Sequence, residues 1–206
     1  MKFLLPGLLW CAAATGCGTP ATEPAAAEQT NTVVETIMSR RSIRKYHEQP
    51  VEREKMALII DCGLNAPSGL NRQPWAVRVV DSEEFLGGVS ARFLESAPEA
   101  AQEPGFRNIF RNAPTVAFIA SPEDGSGDLD CGLLGENMIL AAWSMGIGSC
   151  CLGGPTAFMR SPEAADYLSR LDLPEGYVLR YAIGFGYPDE TPEARPRDLT
   201  KARYVE

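Results

Sequence analysis

The segment that most constrains the fold of this 206-residue chain is the apolar run over residues 115–120. Its sequence, TVAFIA, contains no charge and does not alternate between apolar and polar side chains. A strand with one face in water alternates in that way, whereas an unbroken apolar run needs cover on both faces. The run therefore predicts a central strand between two layers, in a chain long enough for one sizeable core.

A second long apolar segment follows at residues 129–145 and has the length of a helix. Few polar residues interrupt it on any side. A helix that is apolar nearly all round is buried inside a domain or between subunits. The sequence alone leaves both placements open.

The remaining elements follow from periodicity and turn residues. Helices are predicted over residues 33–39, 53–64, from Ser82 to about residue 95, and over 163–171. Strands are predicted over residues 75–80, around 150–152, and over 177–185. This order is typical of a layered domain of helices and strands, and excludes a helical bundle and a β-sandwich.

The charge balance limits the partners of the chain. It contains 19 Lys and Arg against 27 Asp and Glu, a formal net charge of −8. A nucleic-acid-binding protein needs a broad basic face, so no nucleic acid is expected as a partner. The basic residues are densest at Arg40, Arg41, Arg44 and Lys45.

The first 32 residues differ from the rest. Residues 1–16 contain one Lys and an apolar stretch too short to span a bilayer well, which is typical of an export signal. Thr15 and Gly16 precede Cys17 as in a bacterial lipoprotein signal, so lipidation of Cys17 is predicted, with residues 17–32 as a flexible tether. The protein is then expected to be exported and to contact the membrane only through that lipid anchor. A simple cleaved signal and an internal start at Met38 are the alternatives.

The cysteines do not indicate a metal site. No C-x-x-C pair occurs, and His47 is the sole histidine, so bound zinc is not expected. The apolar setting of Cys150 and Cys151 favours small buried side chains over a redox pair, because adjacent cysteines bridge only with strain. A disulfide between Cys62 and Cys131 stays open in an oxidising compartment.

Two segments are rich in hydrogen-bond donors. Arg40, Arg41, Ser42 and Arg44 fall within five residues, and the planar fork of Arg suits bidentate contact with phosphate. A solvated basic turn is the alternative. The loop at residues 66–75 combines hydroxyl, amide and backbone donors between prolines, as in a pocket lining or a plain connector.

Familiar catalytic motifs do not occur. There is no G-x-G-x-x-G, no G-x-x-x-x-G-K-[ST] and no G-x-S-x-G, and a single histidine argues against a Ser-His-Asp hydrolase. A phosphate cradle without acid–base machinery suits a cofactor that brings its own chemistry.

Three segments in this order resemble the nitroreductase superfamily: residues 40–46 (RRSIRKY), 65–75 (NAPSGLNRQPW) and 146–154 (GIGSCCLGG). The resemblance covers residues 33–206. It implies an α+β fold with a mixed central sheet flanked by helices, and a homodimer that binds FMN between its two chains. The helix at residues 129–145 would be the main dimer element.

The resemblance also implies roles for particular residues. Contacts to the FMN phosphate and ribityl chain are implied for Arg40, Arg41, Ser42 and Arg44, joined by Arg195 and Arg197. Contacts to the flavin of the partner subunit are implied for Pro67, Ser68, Gly69 and Asn71, with Gln73 nearby. Backbone N–H groups against the flavin ring are implied for Leu152, Gly153 and Gly154. Many members have an acidic residue in place of Gly153, so the charge beside the flavin differs here.

The implied activity is a ping-pong oxidoreductase reaction without an obligatory side-chain acid. NAD(P)H reduces FMN, and an electron-poor acceptor such as a nitroaromatic or a quinone takes the electrons. The alternative is an exported flavin-binding lipoprotein that relays electrons or binds a ligand without NAD(P)H turnover. Phe106 and Phe110 lie where a wall of the substrate pocket is expected.

Overall fold

The computed structural model describes residues 31–205. The predicted signal at residues 1–16, the lipidation site Cys17 and almost all of the predicted tether lie outside the described residues. In the part of the chain that is described, no helix is both long and apolar enough to cross a membrane.

The described chain forms ten helices and strands with short 3-10 turns between them. The helices are α1 (Thr32–Ser39), α2 (Arg53–Leu64), α3 (Glu83–Leu94), α4 (Asp128–Ser144), α5 (Gly153–Met159) and α6 (Ala165–Arg170). The strands are β1 (Ala76–Val80), β2 (Thr115–Pro122), β3 (Gly148–Leu152) and β4 (Tyr177–Gly186). The 3-10 turns are Gly69–Asn71, Pro98–Gln102, Pro162–Ala164 and Leu199–Lys201.

The four strands form one sheet in the order β1-β2-β4-β3, and all three neighbouring pairs are antiparallel. Among the described residues, the one parallel pairing is at the edge of the sheet, where Ser42 forms an isolated bridge to Ser149 on β3. Strand β2 is paired on both sides, so the predicted central strand and the predicted α+β class are confirmed.

The two faces of β2 explain its unbroken apolar sequence. Val116 and Phe118 point into a core with α3, whereas Ala117 and Ile119 point into a second core with α2 and α4. All four side chains are fully buried. Burying a Val, Ile or Phe side chain contributes roughly 1.5–3 kcal/mol, so both layers depend on this strand.

Helix α4 packs closely on α2 but is covered on one side only. A Cβ at Gly63 of α2 would lie 2.5 Å from Cγ of Met138, so the glycine permits this approach. The opposite side of α4 leaves Leu129 75% and Leu133 38% exposed. Helix α4 therefore has more apolar surface than the rest of the described chain buries.

Several local predictions are wrong. Helix α5 was not expected, because Gly153, Gly154 and Pro155 resemble a loop, although proline is tolerated in a first helical turn. The single helix at 163–171 is interrupted, because Ala164 has a φ of −108° and lies outside the α-helical range. Cys151 is exposed rather than buried.

The disulfide that the sequence left open does not form. The four described cysteines, Cys62, Cys131, Cys150 and Cys151, are all free. The thiol of Cys131 instead lies 3.8 Å from the carbonyl oxygen of Ala120. Burial raises the pKa of this thiol to about 11, so it stays protonated at neutral pH.

Candidate functional site

The basic segment is fixed to the edge of the sheet by its apolar residues. Ile43 is 1% exposed, and its N–H donates to the carbonyl oxygen of Ser149 at 2.9 Å. The hydroxyl of Tyr46 donates to the carbonyl oxygen of Ile43, and burial raises the pKa of Tyr46 well above its ordinary value. With Ile43 and Tyr46 directed inward, the intervening Arg44 is left exposed.

The tail after β4 returns to this segment and completes a cavity. The N–H of Asp189 donates to the carbonyl oxygen of Lys45 at 2.9 Å, and the N–H of Arg44 donates to Glu190 Oε1 at 2.5 Å. The resulting cavity of about 420 Å³ is called the cradle. Its lining consists of Arg40, Arg41, Ser42, Arg44, Pro192, Glu193, Arg195 and Arg197.

The positive charge of the cradle is not balanced by ion pairs. Among residues 31–205, none of its five arginines lies within salt-bridge distance of a carboxylate. Three of them instead donate to backbone carbonyls, Arg41 to Met38 at 2.9 Å, Arg44 to Ser42 at 3.4 Å and Arg197 to Arg195 at 2.8 Å. Because arginine matches phosphate geometry, this arrangement favours an anion cradle over a solvated turn.

A second cavity of about 620 Å³ adjoins the cradle at Arg44, which lines both. Gly154 lines it, and Gly153 and Gly154 begin α5 without a side-chain cap. A Cβ at either glycine would meet no atom within 4 Å, so the start of the helix borders open space. Leu152, the third predicted residue of this group, is buried at 3% exposure.

One of the two predicted wall residues belongs to the second cavity. Phe106 lines it, as expected. Phe110 does not, because it is fully buried and packs edge-to-face on Phe118 at 5.7 Å. The prediction for Phe110 is therefore wrong, since its ring contributes to the core beside β2.

The loop with the other predicted residues is held by its own hydrogen bonds. The N–H of Gln73 donates to Ser68 Oγ at 2.9 Å, and Gln73 Nε2 donates to Asn71 Oδ1 at 3.2 Å. Asn71 and Gln73 have φ values of 55° and 52°, a conformation that few non-glycine residues adopt. Pro67 at the start of the loop is exposed, as are Gly69, Asn71 and Gln73.

Asp130 anchors this loop to the first turn of α4. Both carboxylate oxygens of Asp130 accept from the N–H of Gly69 at 3.3 Å, and the residue is only 8% exposed. No sequence signal indicated this role, because Asp130 lies 61 positions further along the chain than Gly69.

The loop and the cradle lie at opposite ends of α4. Ser39, directly before the cradle, accepts from Trp143 Nε1 in the last turn of α4 at 2.9 Å. Asp130 in the first turn and Trp143 are separated by about 20 Å at 1.5 Å per residue. One chain therefore brings the arginines together but does not bring the loop to them.

A four-stranded antiparallel sheet between helical layers, with a cavity lined by five arginines at one edge, defines an α+β domain with a concentrated positive charge. Residues 37–187 match the model of the nitroreductase family. The chain belongs to this family.

Known relatives agree with this assignment. The chain is 32% identical over 185 residues to an NADPH-flavin oxidoreductase from Vibrio harveyi, covering 81% of this chain and 70% of the relative. It is 29% identical over 169 residues to a putative NADH dehydrogenase/NAD(P)H nitroreductase from Methanothermobacter thermautotrophicus, covering 79% and 81%.

Solved structures share the fold. A nitroreductase with bound FMN from Desulfitobacterium hafniense DCB-2 superimposes with a TM-score of 0.77 at 28% identity, covering 86% of this chain and 100% of the other. An FMN-dependent nitroreductase from Clostridium difficile R20291 superimposes with a TM-score of 0.72 at 30% identity, with the same coverage.

Proposed function

We propose that this protein is an FMN-dependent NAD(P)H oxidoreductase that works as a homodimer. The observation that carries the proposal is the cradle, in which five arginines converge and none of their guanidinium groups forms an ion pair with a carboxylate among the described residues. An acidic chain that gathers unpaired arginines at one edge of its sheet is built to hold a phosphate.

The residues present fit FMN. The cradle suits the phosphate and ribityl chain, and the adjoining cavity offers open space beside the first N–H groups of α5 for a planar ring. When bound, FMN supplies the electron chemistry, taking a hydride from NAD(P)H and passing electrons to an acceptor such as a nitroaromatic or a quinone.

The side chains of the protein would position FMN and stabilise its charge, and none is proposed to react. Arg44 lines both cavities, so its charge would stabilise both the phosphate of bound FMN and negative charge on the ring. Gly153 and Gly154 offer backbone donors with open space before them. Among residues 31–205, no group of three or more His, Cys, Asp or Glu side chains is placed to hold a metal ion.

The distance between the loop and the cradle within one chain supports the proposed homodimer. The loop at residues 67–73 lies about 20 Å along α4 from the cradle, so a second copy would supply the loop to each cradle if the loop makes the flavin contacts that the family resemblance implies. Exposed apolar side chains flank this path, with Met38 on α1 at 71% and Leu129 on α4 at 75%. A two-fold contact across α4 would cover both and complete two equal sites.

The visible absorbance of the purified protein tests the proposed activity. A flavin spectrum that bleaches on anaerobic addition of NADH is the expected result. A flavin that stays oxidised with both NADH and NADPH favours the alternative of an electron-relay or ligand-binding flavoprotein. A colourless protein that refuses added FMN contradicts the proposal.

We also propose that the protein is exported and anchored through lipid on Cys17. The support is the sequence of residues 1–17 alone. Replacing Cys17 by Ser should move the protein from the membrane fraction to the soluble fraction. Unchanged membrane association, or an unmodified Cys17 by mass spectrometry, would contradict the anchor.

A further inference from the structure

We infer that the second cavity selects electron acceptors with an acidic group beside a planar ring, and that Lys45 and Arg111 recognise that group. The inference rests on the proposed function, because it names the substrate class that meets the bound FMN. It depends on the shape of the cavity, its charge and the rigid placement of Arg111.

One wall of the cavity suits a flat apolar surface. Phe93, Phe106 and Ile109 line it, and all three are half-buried. Phe93 is held in place by Phe158, whose ring lies edge-to-face at 5.2 Å between centroids. Aromatic side chains fixed in this way favour planar ligands that stack or pack edge-on.

The charged part of the lining is positive. Three cations, Arg44, Lys45 and Arg111, face two carboxylates, Glu103 and Glu190. Glu190 already accepts the N–H of Arg44 at 2.5 Å.

Lys45 and Arg111 themselves have no side-chain hydrogen bond or ion pair among residues 31–205, and both are exposed to the cavity. Their charge is therefore available to a ligand, and the planar fork of Arg111 matches a carboxylate through two parallel hydrogen bonds.

The backbone holds Arg111 in a conformation that it would not adopt by preference. Arg111 and Asn112 have φ values of 58° and 59°. Asn112 locks this turn, because its Oδ1 accepts from the N–H of Arg107 at 2.7 Å and its Nδ2 donates to the carbonyl oxygen of Gly105 at 2.8 Å. Retained left-handed residues of this kind concentrate at functional sites.

The charge of Arg111 also reaches the flavin side of the cavity. Burial raises the pKa of the Cys150 thiol on β3, and Arg44 and then Arg111 oppose that rise. Cys150 lies two residues before Leu152 and the start of α5. Arg111 therefore acts on the strand that ends at the proposed flavin contact.

The test compares para-nitrobenzoate with para-nitrobenzamide, which have nearly the same size but differ in charge. With the FMN-loaded full-length protein and saturating NADH, we expect a higher kcat/KM for the acid. Arg111→Gln should lower the acid-to-amide ratio about tenfold, because a charged hydrogen bond is lost. Arg111→Lys should keep most of the preference, and Arg53→Gln, at a distant surface pair, should leave it unchanged.

A second readout avoids turnover. Benzoate should perturb the absorbance of the oxidised flavin at lower concentration than benzamide in the native protein, and this difference should disappear in Arg111→Gln. FMN content and Tm of the variant should match those of the native protein, which separates recognition from folding.

Each other outcome overturns the inference. Equal kcat/KM for acid and amide, in a protein whose flavin bleaches with NADH, overturns it while the proposed function stands. If Arg111→Gln changes only the preference for NADPH over NADH, Arg111 recognises an acidic group of the electron donor. The assignment of Arg111 to the electron acceptor is then wrong. A protein that binds no FMN overturns both, and the visible spectrum identifies that failure.

Discussion

The cradle and the loop at residues 67–73 differ in how far one chain completes them. The cradle is closed by segments 40–44 and 192–197, which meet at one edge of the sheet. The loop is held by its own hydrogen bonds and by Asp130, at the opposite end of α4 from the cradle of the same chain. This separation fits the proposed homodimer, in which the loop of one copy would meet the cradle of the other.

The cradle and the loop should therefore affect FMN binding in two different ways. FMN affinity should depend on the arginines of the same chain through direct charge, and on the loop of the second copy, which reaches the site only in the dimer. The expected effects of substitutions decrease from the cradle to the contact between copies, then to the loop, and last to the core beneath the loop.

The largest effect is expected when the cradle loses two charges. The double variant Arg40→Ala/Arg44→Ala removes two charge-assisted contacts of about 1.5–3 kcal/mol each, which weakens FMN binding at least a hundredfold. The dimer and the fold should persist, since both side chains are directed away from the core. Titration of the apoprotein by flavin fluorescence measures the affinity.

The double variant Arg53→Ala/Arg92→Ala removes the same charge from surface ion pairs that do not line the cradle, and is the matched control. FMN bound with native affinity by the Arg40/Arg44 variant would mean that the cradle assignment is wrong.

The next effect concerns the exposed side of α4. Leu133→Asp places a charge where the second copy is expected to pack, and an unpaired buried charge costs about 3–5 kcal/mol. Sedimentation should show a monomer that has lost FMN although its cradle is intact. Ala91→Asp on the exposed surface of α3 should remain dimeric. A Leu133→Asp protein that stays dimeric and yellow would place the contact elsewhere.

A smaller effect is expected at the anchor of the loop. Asp130→Ala removes the acceptor of the Gly69 N–H and a charged hydrogen bond of about 1.5–3 kcal/mol. FMN affinity should fall about tenfold in a protein that is still a dimer. FMN affinity should fall less in Asp130→Asn, because Asn keeps an acceptor oxygen. Equal affinity for the native protein and Asp130→Ala would show that the loop does not contribute to the site.

The smallest effect is confined to alkaline pH. Cys131 packs beneath the loop end of α4 with a pKa raised from 9.0 to about 11. The thiol ionises at a lower pH in the unfolded chain than in the folded one. Its contribution to the free energy of unfolding is therefore complete below pH 9 and is lost as the pH approaches 11. By about pH 10 the free energy of unfolding should have fallen by about 1.4 kcal/mol from this group.

Urea unfolding of the native protein and of Cys131→Ala measures that difference. The variant should show a shallower fall between neutral pH and pH 10, since only its other buried groups titrate. Parallel curves for the two proteins would show that Cys131 does not carry this pH dependence.

The sequence predicted the fold where local pattern decides it. The apolar run of β2 and the helical spacing of α2 are local properties, and both elements were located correctly. Helix α5 was missed because Gly153, Gly154 and Pro155 are also typical of a loop. Its position depends on β3 and on the core around Met159, which a single segment does not reveal.

The site was predictable to a similar extent. The arginines of residues 40–44 were visible as a cluster, and the resemblance added Arg195 and Arg197, which the structure brings to the same cavity. The roles of Arg111 and Asp130 depend on contacts made across the fold and on a left-handed turn, so no spacing in the sequence indicates them. Phe110 was misplaced because an aromatic residue near a pocket and one in a core look alike in sequence.

The most direct test of the central claim is complementation between two inactive variants. Arg40→Ala/Arg44→Ala destroys the cradle, and Gly69→Phe fills the surface of the loop, where a Cβ meets no atom within 4 Å of its own chain. Each alone should be colourless. If each site takes its cradle from one copy and its loop from the other, refolding an equal mixture should restore FMN to about a quarter of the sites. A mixture that stays colourless, or a Gly69→Phe protein that binds FMN with native affinity, would contradict a site shared between two chains.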